Sequence, residues 1–280
     1  MFLLIPYKLQ TLLMIFLPTL GKKLQILSLP HPQILTLIFP PPDENLTFDI
    51  GKTGQVHVID IIKSLPPKNS TDLMGISTKL LKFVKLEIST PLAHVFQLSF
   101  EQGIFPENLK TSRTIPIFKS GDKFNIDNYR PISLVNSISK IIEKMVSVKL
   151  TNYLQINKLI SPWQFGFQKY LNTEHNLIHA VNFIGEAMNR GDFCIGVFFD
   201  LRKAFDVVQH DVLLNKLSKL GVKNSALNWF KSYLSNRKQV VDIHGTLSEV
   251  KNISCSVLQG SILGPLLFLC FINDFANSTI

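Results

Sequence analysis

Between residues 56 and 272, apolar positions fall either into helix-spaced stripes or into short unbroken runs. Residues 56–65 (VHVIDIIKSL) carry a short helical stripe that stops at Pro66-Pro67, because proline cannot continue a helix. Residues 76–86 (ISTKLLKFVKL) predict a second helix with Ser77 or Thr78 as its cap. A third, PLAHVFQLSFEQ, is expected to begin at Pro91, a favoured first helical residue, and to end at Gly103. A short apolar run at 114–118 then precedes a polar turn at 119–128. Asn136 can cap a long amphipathic helix with Ile138, Ile141, Ile142, Met145, Val148, Tyr153 and Ile156 at helix-face spacing. Residues 194–199 (CIGVFF) hold no charge and predict a buried strand. Asp211 is expected to open a helix that Gly221 closes, and Asn224 or Ser225 to open another around Trp229 and Phe230. Residues 239–243 suggest a strand, and 254–272 are apolar with glycines at the start. Helices and strands alternate irregularly with no fixed repeat, which gives a mixed α and β class.

The N-terminus has another texture. Residues 1–20 are strongly apolar, but Pro6, Lys8 and Pro18 interrupt them. The longest unbroken stretch, 9–17, is shorter than the ~20 residues of a membrane-spanning helix, so no membrane partner is expected. No basic segment precedes the apolar run and no small-residue cleavage site follows it, as a signal peptide would require. Leu/Pro-rich sequence continues to Pro40-Pro41-Pro42. Residues 1–42 therefore read as a leader without its own fold.

Composition narrows the function class. An apolar share of 46% with 18% charged residues describes a folded chain and not a disordered one. The formal charge of +9 favours a polyanionic partner, although charge alone does not select nucleic acid. Cys194, Cys255 and Cys270 lie far apart with neither zinc-site nor disulfide spacing, which fits a reducing compartment.

The sharpest chemical feature is VFFDLRKAFD, residues 197–206. An uncharged strand delivers Asp200 at its carboxyl end, where an unpaired carboxylate is costly in apolar surroundings. A hard divalent cation is one remedy, since it takes oxygen ligands. A helix cap ahead of LRKAF is the other.

Order and spacing separate these readings. KSGD (119–122), YRPISL (129–134), QFGF (164–167), FFDLRKAFD (198–206) and QGSILGP (259–265) follow one another. In this succession the chain resembles reverse transcriptases of LINE-type, non-long-terminal-repeat retrotransposons, from about residue 56 to residue 280. The resemblance implies an α/β chain of the α+β type, an incomplete right-hand polymerase with α-rich fingers and part of the palm sheet. It implies residues 43–113 as a helical N-terminal extension and 114–280 as fingers and partial palm. It also implies RNA-directed DNA polymerisation, in which deoxynucleotides are added to a primer 3′ end by two-metal nucleotidyl transfer.

The same resemblance assigns roles. Asp200 would be the first metal-binding aspartate, with the carbonyl of Leu201 as a further ligand, for Mg²⁺ or alternatively Mn²⁺. Phe205 would lie under the deoxyribose and exclude a 2′-hydroxyl; as a lone aromatic it would be core. Lys119 and Arg130 would hold the triphosphate, a point charge and a forked donor respectively; without the family they are a solvated basic loop. Gln259 and Gly260 would pack against nucleotide and template. RNA template, DNA primer and deoxynucleoside triphosphates are the implied partners, with no specific protein partner.

Departures from the family pattern stand at Leu258, where proline is usual, and at Gln168, where arginine is usual. The family's second aspartate pair, the F/YADD hairpin, is expected a short distance beyond 272–274 and does not occur before Ile280. A truncated polymerase is the resulting expectation. The alternative is a non-catalytic retrotransposon remnant with residual nucleic-acid binding, and a polymerase assay separates the two.

Overall fold

The computed structural model describes residues 45–201 and 204–275 and, further upstream, the backbone of 2–4 and 12–19; for Phe193 and residues 195–200 it describes the backbone alone. In chain order the elements are β1 (Phe2–Leu4), β2 (Leu12–Thr19), α1 (Gln55–Ser64), α2 (Thr78–Phe83) and α3 (Lys85–Gln102), then β3 (Thr111–Phe118), β4 (Tyr129–Leu134) and α4 (Ser137–Ile156). They continue with α5 (Thr173–Asn189), β5 (Phe193–Asp200), α6 (His210–Lys219), α7 (Asn224–Leu234), β6 (Arg237–Ile243), β7 (Thr246–Leu247), β8 (Lys251–Ile253) and α8 (Gly264–Ile272). Eight helices and two sheets, one of them mixed, among the described residues bear out the α/β class.

The chain divides into two units, each discontinuous in sequence. The larger comprises residues 44–157 and 205–271. Its sheet runs β4-β3-β6, with β3–β4 antiparallel and β3–β6 parallel, and both β7 and β8 return antiparallel to β6. Aromatic residues fill the interior under α3 and α7: Phe96, Phe100, Phe105, Trp229, Phe230 and Tyr233 are buried. The Trp229 and Tyr233 rings, four residues apart on one helix face, stack at 5.5 Å with 7° between planes. The Trp229 indole N–H donates to Ser99 Oγ, so its polar edge is satisfied inside the core.

Caps account for several boundaries. Ser77 Oγ accepts from Leu80 N–H and opens α2, and Asn136 Oδ1 accepts from Ile138 and Ser139 N–H and opens α4. Gly103, at φ +65°, closes α3. The start of that helix differs from expectation, since Pro91 lies inside it. Proline removes one helical bond, to the Glu87 carbonyl, and Glu87 is exposed where water can replace the lost donor. Asp211 is not the cap of α6; Gln209 precedes the helix and Asp211 sits in its first turn, where its charge suits the helix dipole. Neither Asn224 nor Ser225 caps α7, which Lys223 precedes. On α4, Ile141, Ile142 and Met145 are buried as expected, whereas Val148 and Ile156 are exposed and Val146, Leu150 and Leu154 take their place.

The smaller unit comprises residues 1–43, 158–204 and 272–280. Strand β5 pairs antiparallel along its whole length with β2, from Leu12↔Asp200 to Thr19↔Phe193, and β1 pairs with β2. Two segments of the expected leader are thus strands, β2 beside β5 and β1 on the far side of β2. Helix α5, which the sequence reading did not predict, packs on this sheet, and its Ala180 sits among Trp163, Phe183, Ile184 and Cys194. Asn273 ties the unit's end to residues 159–161, accepting from Ser161 N–H and donating to the Leu159 carbonyl, both at 2.8 Å. No helix among the described residues is long and apolar enough to cross a membrane.

Candidate nucleotide-binding site

The β3–β4 hairpin carries two of the predicted phosphate ligands. Ile117 opposes Arg130 and Phe118 opposes Tyr129, and the ladder continues one step further, where Lys119 N–H donates to the Asn128 carbonyl at 2.8 Å. Side chains of opposed residues share a face and alternate along a strand. Lys119 and Arg130 are therefore diagonal neighbours on one face, and Phe118 and Tyr129 occupy the other with rings 5.4 Å apart. The intervening loop closes on Asp122, whose Oδ1 accepts from Phe124 N–H and whose carbonyl accepts from the Asn128 amide. Lys119 is exposed and Arg130 half-buried.

The QGSILGP segment lies against the outer edge of β4. Ser133 N–H donates to the Gln259 carbonyl at 2.8 Å. Gly260 has φ +117°, and a Cβ there would stand 2.5 Å from the Ser133 carbonyl oxygen. Only glycine allows that approach. Ser261 Oγ accepts from Gly264 N–H at 2.9 Å and donates to the Leu258 carbonyl, and a Cβ on Gly264 would meet that carbonyl at 2.7 Å. The turn is thereby locked onto the start of α8. Gly264-Pro265, which alone would be a generic turn, opens this buried helix. Leu258 is itself buried.

Phe205 belongs to the same unit. Its ring stacks on Phe268 of α8 at 4.8 Å and 22°, and its carbonyl accepts from Val257 N–H at 3.0 Å. One face of the ring is thus covered, while the residue stays only half-buried. Lys119, Arg130, Phe205, Gln259 and Gly260 all belong to the larger unit.

Asp200 and Leu201 belong to the smaller unit. Asp200 ends β5, as expected, and its carboxylate lies outside the described side chains. Leu201 follows as an exposed, non-helical residue. Residues 204–207 form a turn, and among the described residues no helix starts between Asp200 and His210 for Asp200 to cap. The QFGF motif folds within its own loop: Gln164 donates to the Gly166 carbonyl, Gln168 donates to the Gln164 carbonyl, and Phe165 is buried against the His179 ring. Among the described residues, no three His, Cys, Asp or Glu side chains gather closely enough to hold a metal ion.

One residue escaped the sequence reading. Glu143, on α4, is fully buried, and its carboxylate accepts from Ile262 N–H (2.8 Å), Leu263 N–H (3.4 Å) and Ser139 Oγ (2.8 Å). The Tyr233 hydroxyl stands beside Glu143 and Ser261, and burial together with the neighbouring carboxylate pushes that phenol well above its ordinary pKa. The only sequence signal was an acid in an otherwise apolar helix stripe.

The family described as reverse transcriptase (RNA-dependent DNA polymerase) matches residues 117–280, more than half of the chain. The chain belongs to the reverse transcriptase family. Its α/β architecture agrees with part of the polymerase fold of that family. This reverse transcriptase chain is 33% identical over 80% of its length to the RNA-directed DNA polymerase from mobile element jockey of Drosophila melanogaster. It is 31% identical over 78% of its length to the probable RNA-directed DNA polymerase from transposon BS, and 35% identical over 55% to that from transposon X-element, both of the same fly. It covers 24%, 24% and 17% of those three proteins, so the chain spans about a quarter or less of the curated relatives it matches. Reverse transcriptases generally use divalent metal ions, and the family implies a nucleic-acid template and primer with nucleotide substrates.

Proposed function

We propose that the chain is part of an RNA-directed DNA polymerase of the LINE type and supplies its nucleotide-gripping surface. The observation that carries this reading is the hairpin: Lys119 and Arg130 share one face, and the outer edge of the same β4 strand holds Gln259 and Gly260. Lysine and arginine on one surface suit the oxygens of a deoxynucleoside triphosphate, the arginine as a forked donor. Gln259 and Gly260 border the nucleotide and template, where the bare glycine backbone leaves room. Phe205, stacked from below by Phe268, presents a rigid ring to the sugar and excludes a 2′-hydroxyl. In this reading residues 43–113 are a helical extension, and 114–280 are fingers and part of the palm.

Asp200 at the end of β5 and the Leu201 carbonyl after it form an all-oxygen donor pair, which suits a hard ion such as Mg²⁺, or Mn²⁺ in its place. A metal bound there would stabilise charge on the attacking 3′-oxygen and on the pyrophosphate leaving group of an in-line displacement. The residues of the chain hold and orient the reactants, which is most of what phosphoryl transfer asks of a protein. RNA template and DNA primer complete the reaction. The experiment is RNA-templated primer extension by a full-length relative that carries residues 117–275 of this chain in place of its own. Extension that disappears with Asp200→Ala is expected, and extension indifferent to that change would refute the reading.

A further inference from the structure

Residues 254–263 lie in neither helix nor strand, yet they carry Gln259 and Gly260. Hydrogen bonds to separate parts of the fold set their position. Val257 N–H donates to the Phe205 carbonyl, and Ser133 N–H donates to the Gln259 carbonyl. Glu143, 0% exposed, receives the N–H groups of Ile262 and Leu263. A carboxylate without solvent is costly unless its oxygens are satisfied. Here three donors meet it, Ser139 on its own helix and two main-chain N–H groups just ahead of α8, and the Tyr233 hydroxyl of α7 stands beside it. Those two N–H groups precede a helix and have no partner within it. An apolar side chain at 143 would leave both orphaned. The carboxylate therefore accepts bonds from the turn that no hydrocarbon side chain could accept.

We infer that Glu143 is a positioning residue for the turn that carries Gln259 and Gly260, holding it at Ile262 and Leu263 while Ser133 of β4 holds it at Gln259. Its bearing on nucleotide rests on the reading above; its bearing on the turn does not. Ser139, Glu143, Tyr233 and Ser261 form one buried polar group that couples α4, α7 and the start of α8 to this turn.

The test is amide hydrogen exchange on the full 280-residue chain carrying Glu143→Met, Glu143→Gln or Tyr233→Phe, alongside titration with dTTP and Mg²⁺. Glu143→Met should accelerate exchange over residues 258–264 by about 10- to 100-fold, the effect of leaving buried donors unpaired, while α1 and α3 keep their protection. Glu143→Gln should stay within about threefold of the parent, because its amide oxygen still accepts from the turn and its NH₂ can donate to Ser139. Tyr233→Phe, which keeps the ring, should accelerate the same residues by about fivefold. Acceleration spread evenly over α1, α3 and 258–264 would make Glu143 an ordinary core residue and overturn the inference, as would unchanged exchange at 258–264. If the parent chain binds no dTTP while Glu143→Met loosens 258–264 alone, the nucleotide reading of Gln259 fails and the positioning role stands.

Discussion

The main-chain N–H of Ser133 donates to the Gln259 carbonyl at 2.8 Å, so the edge of β4 opposite β3 is closed by the turn that carries Gln259 and Gly260. Gly260 makes the closure sterically possible, since a Cβ would stand 2.5 Å from the Ser133 oxygen at φ +117°. Gly260→Ala should cost about 1–3 kcal/mol in urea unfolding. Gly245→Ala is the control, because that residue also has positive φ but open space around it. A Gly260→Ala loss no larger than that of Gly245→Ala would contradict the close approach.

Phe205 stacks on Phe268 and is half-buried, which allows both a packing and a sugar-sensing role. In a polymerase carrying this segment, Phe205→Ala should admit ribonucleotides. It should also destabilise the protein, with about 0.5–1.5 kcal/mol attributable to the ring pair beyond its buried area. Lost stability with unchanged discrimination between the two sugars would leave Phe205 as core alone.

Cys270, inside α8, is buried, and burial pushes its thiol up to about 12. A thiol with a raised pKa in the folded chain keeps its proton there while the unfolded chain loses it above about pH 9. Stability is therefore complete below that pH and falls as pH rises toward 12. Lys140 and Lys149, whose pKa values burial lowers, act in the opposite sense, so the readout is a difference between chains. Urea midpoints between pH 8 and 10 should fall less steeply in Cys270→Ala than in the parent. Parallel slopes would show that the thiol is not sequestered.

Local features were legible because their physics is local. Asn136 announced α4 through its own side chain, Gly103 ended α3, and the uncharged run before Asp200 formed β5. Pro91 misled because tertiary packing carried α3 through a residue that usually starts a helix. Helix α5 went unseen because Leu177, Ile178, Val181 and Met188 leave much of its apolar surface exposed, which blurs the stripe. The parallel pairing of β3 with β6 joins residues more than a hundred positions apart, and no spacing rule reveals it. Glu143 was invisible for the same reason, since its partners at 262 and 263 lie about 120 residues further along. The five motifs were readable as a set, and their mutual distances were not.

The most direct measurement of the central claim is the affinity of the full chain for dTTP in the presence of Mg²⁺, for the parent, Lys119→Ala and Arg130→Ala. Loss of a charge-assisted bond to phosphate is worth about 1.5–3 kcal/mol, so each variant should bind at least about tenfold more weakly. Affinity for single-stranded RNA should be weak, strongly salt-dependent and nearly unchanged by either substitution, because a diffuse basic surface supplies it. Equal losses for dTTP and RNA, or no loss for dTTP, would contradict the assignment of this hairpin face to the triphosphate.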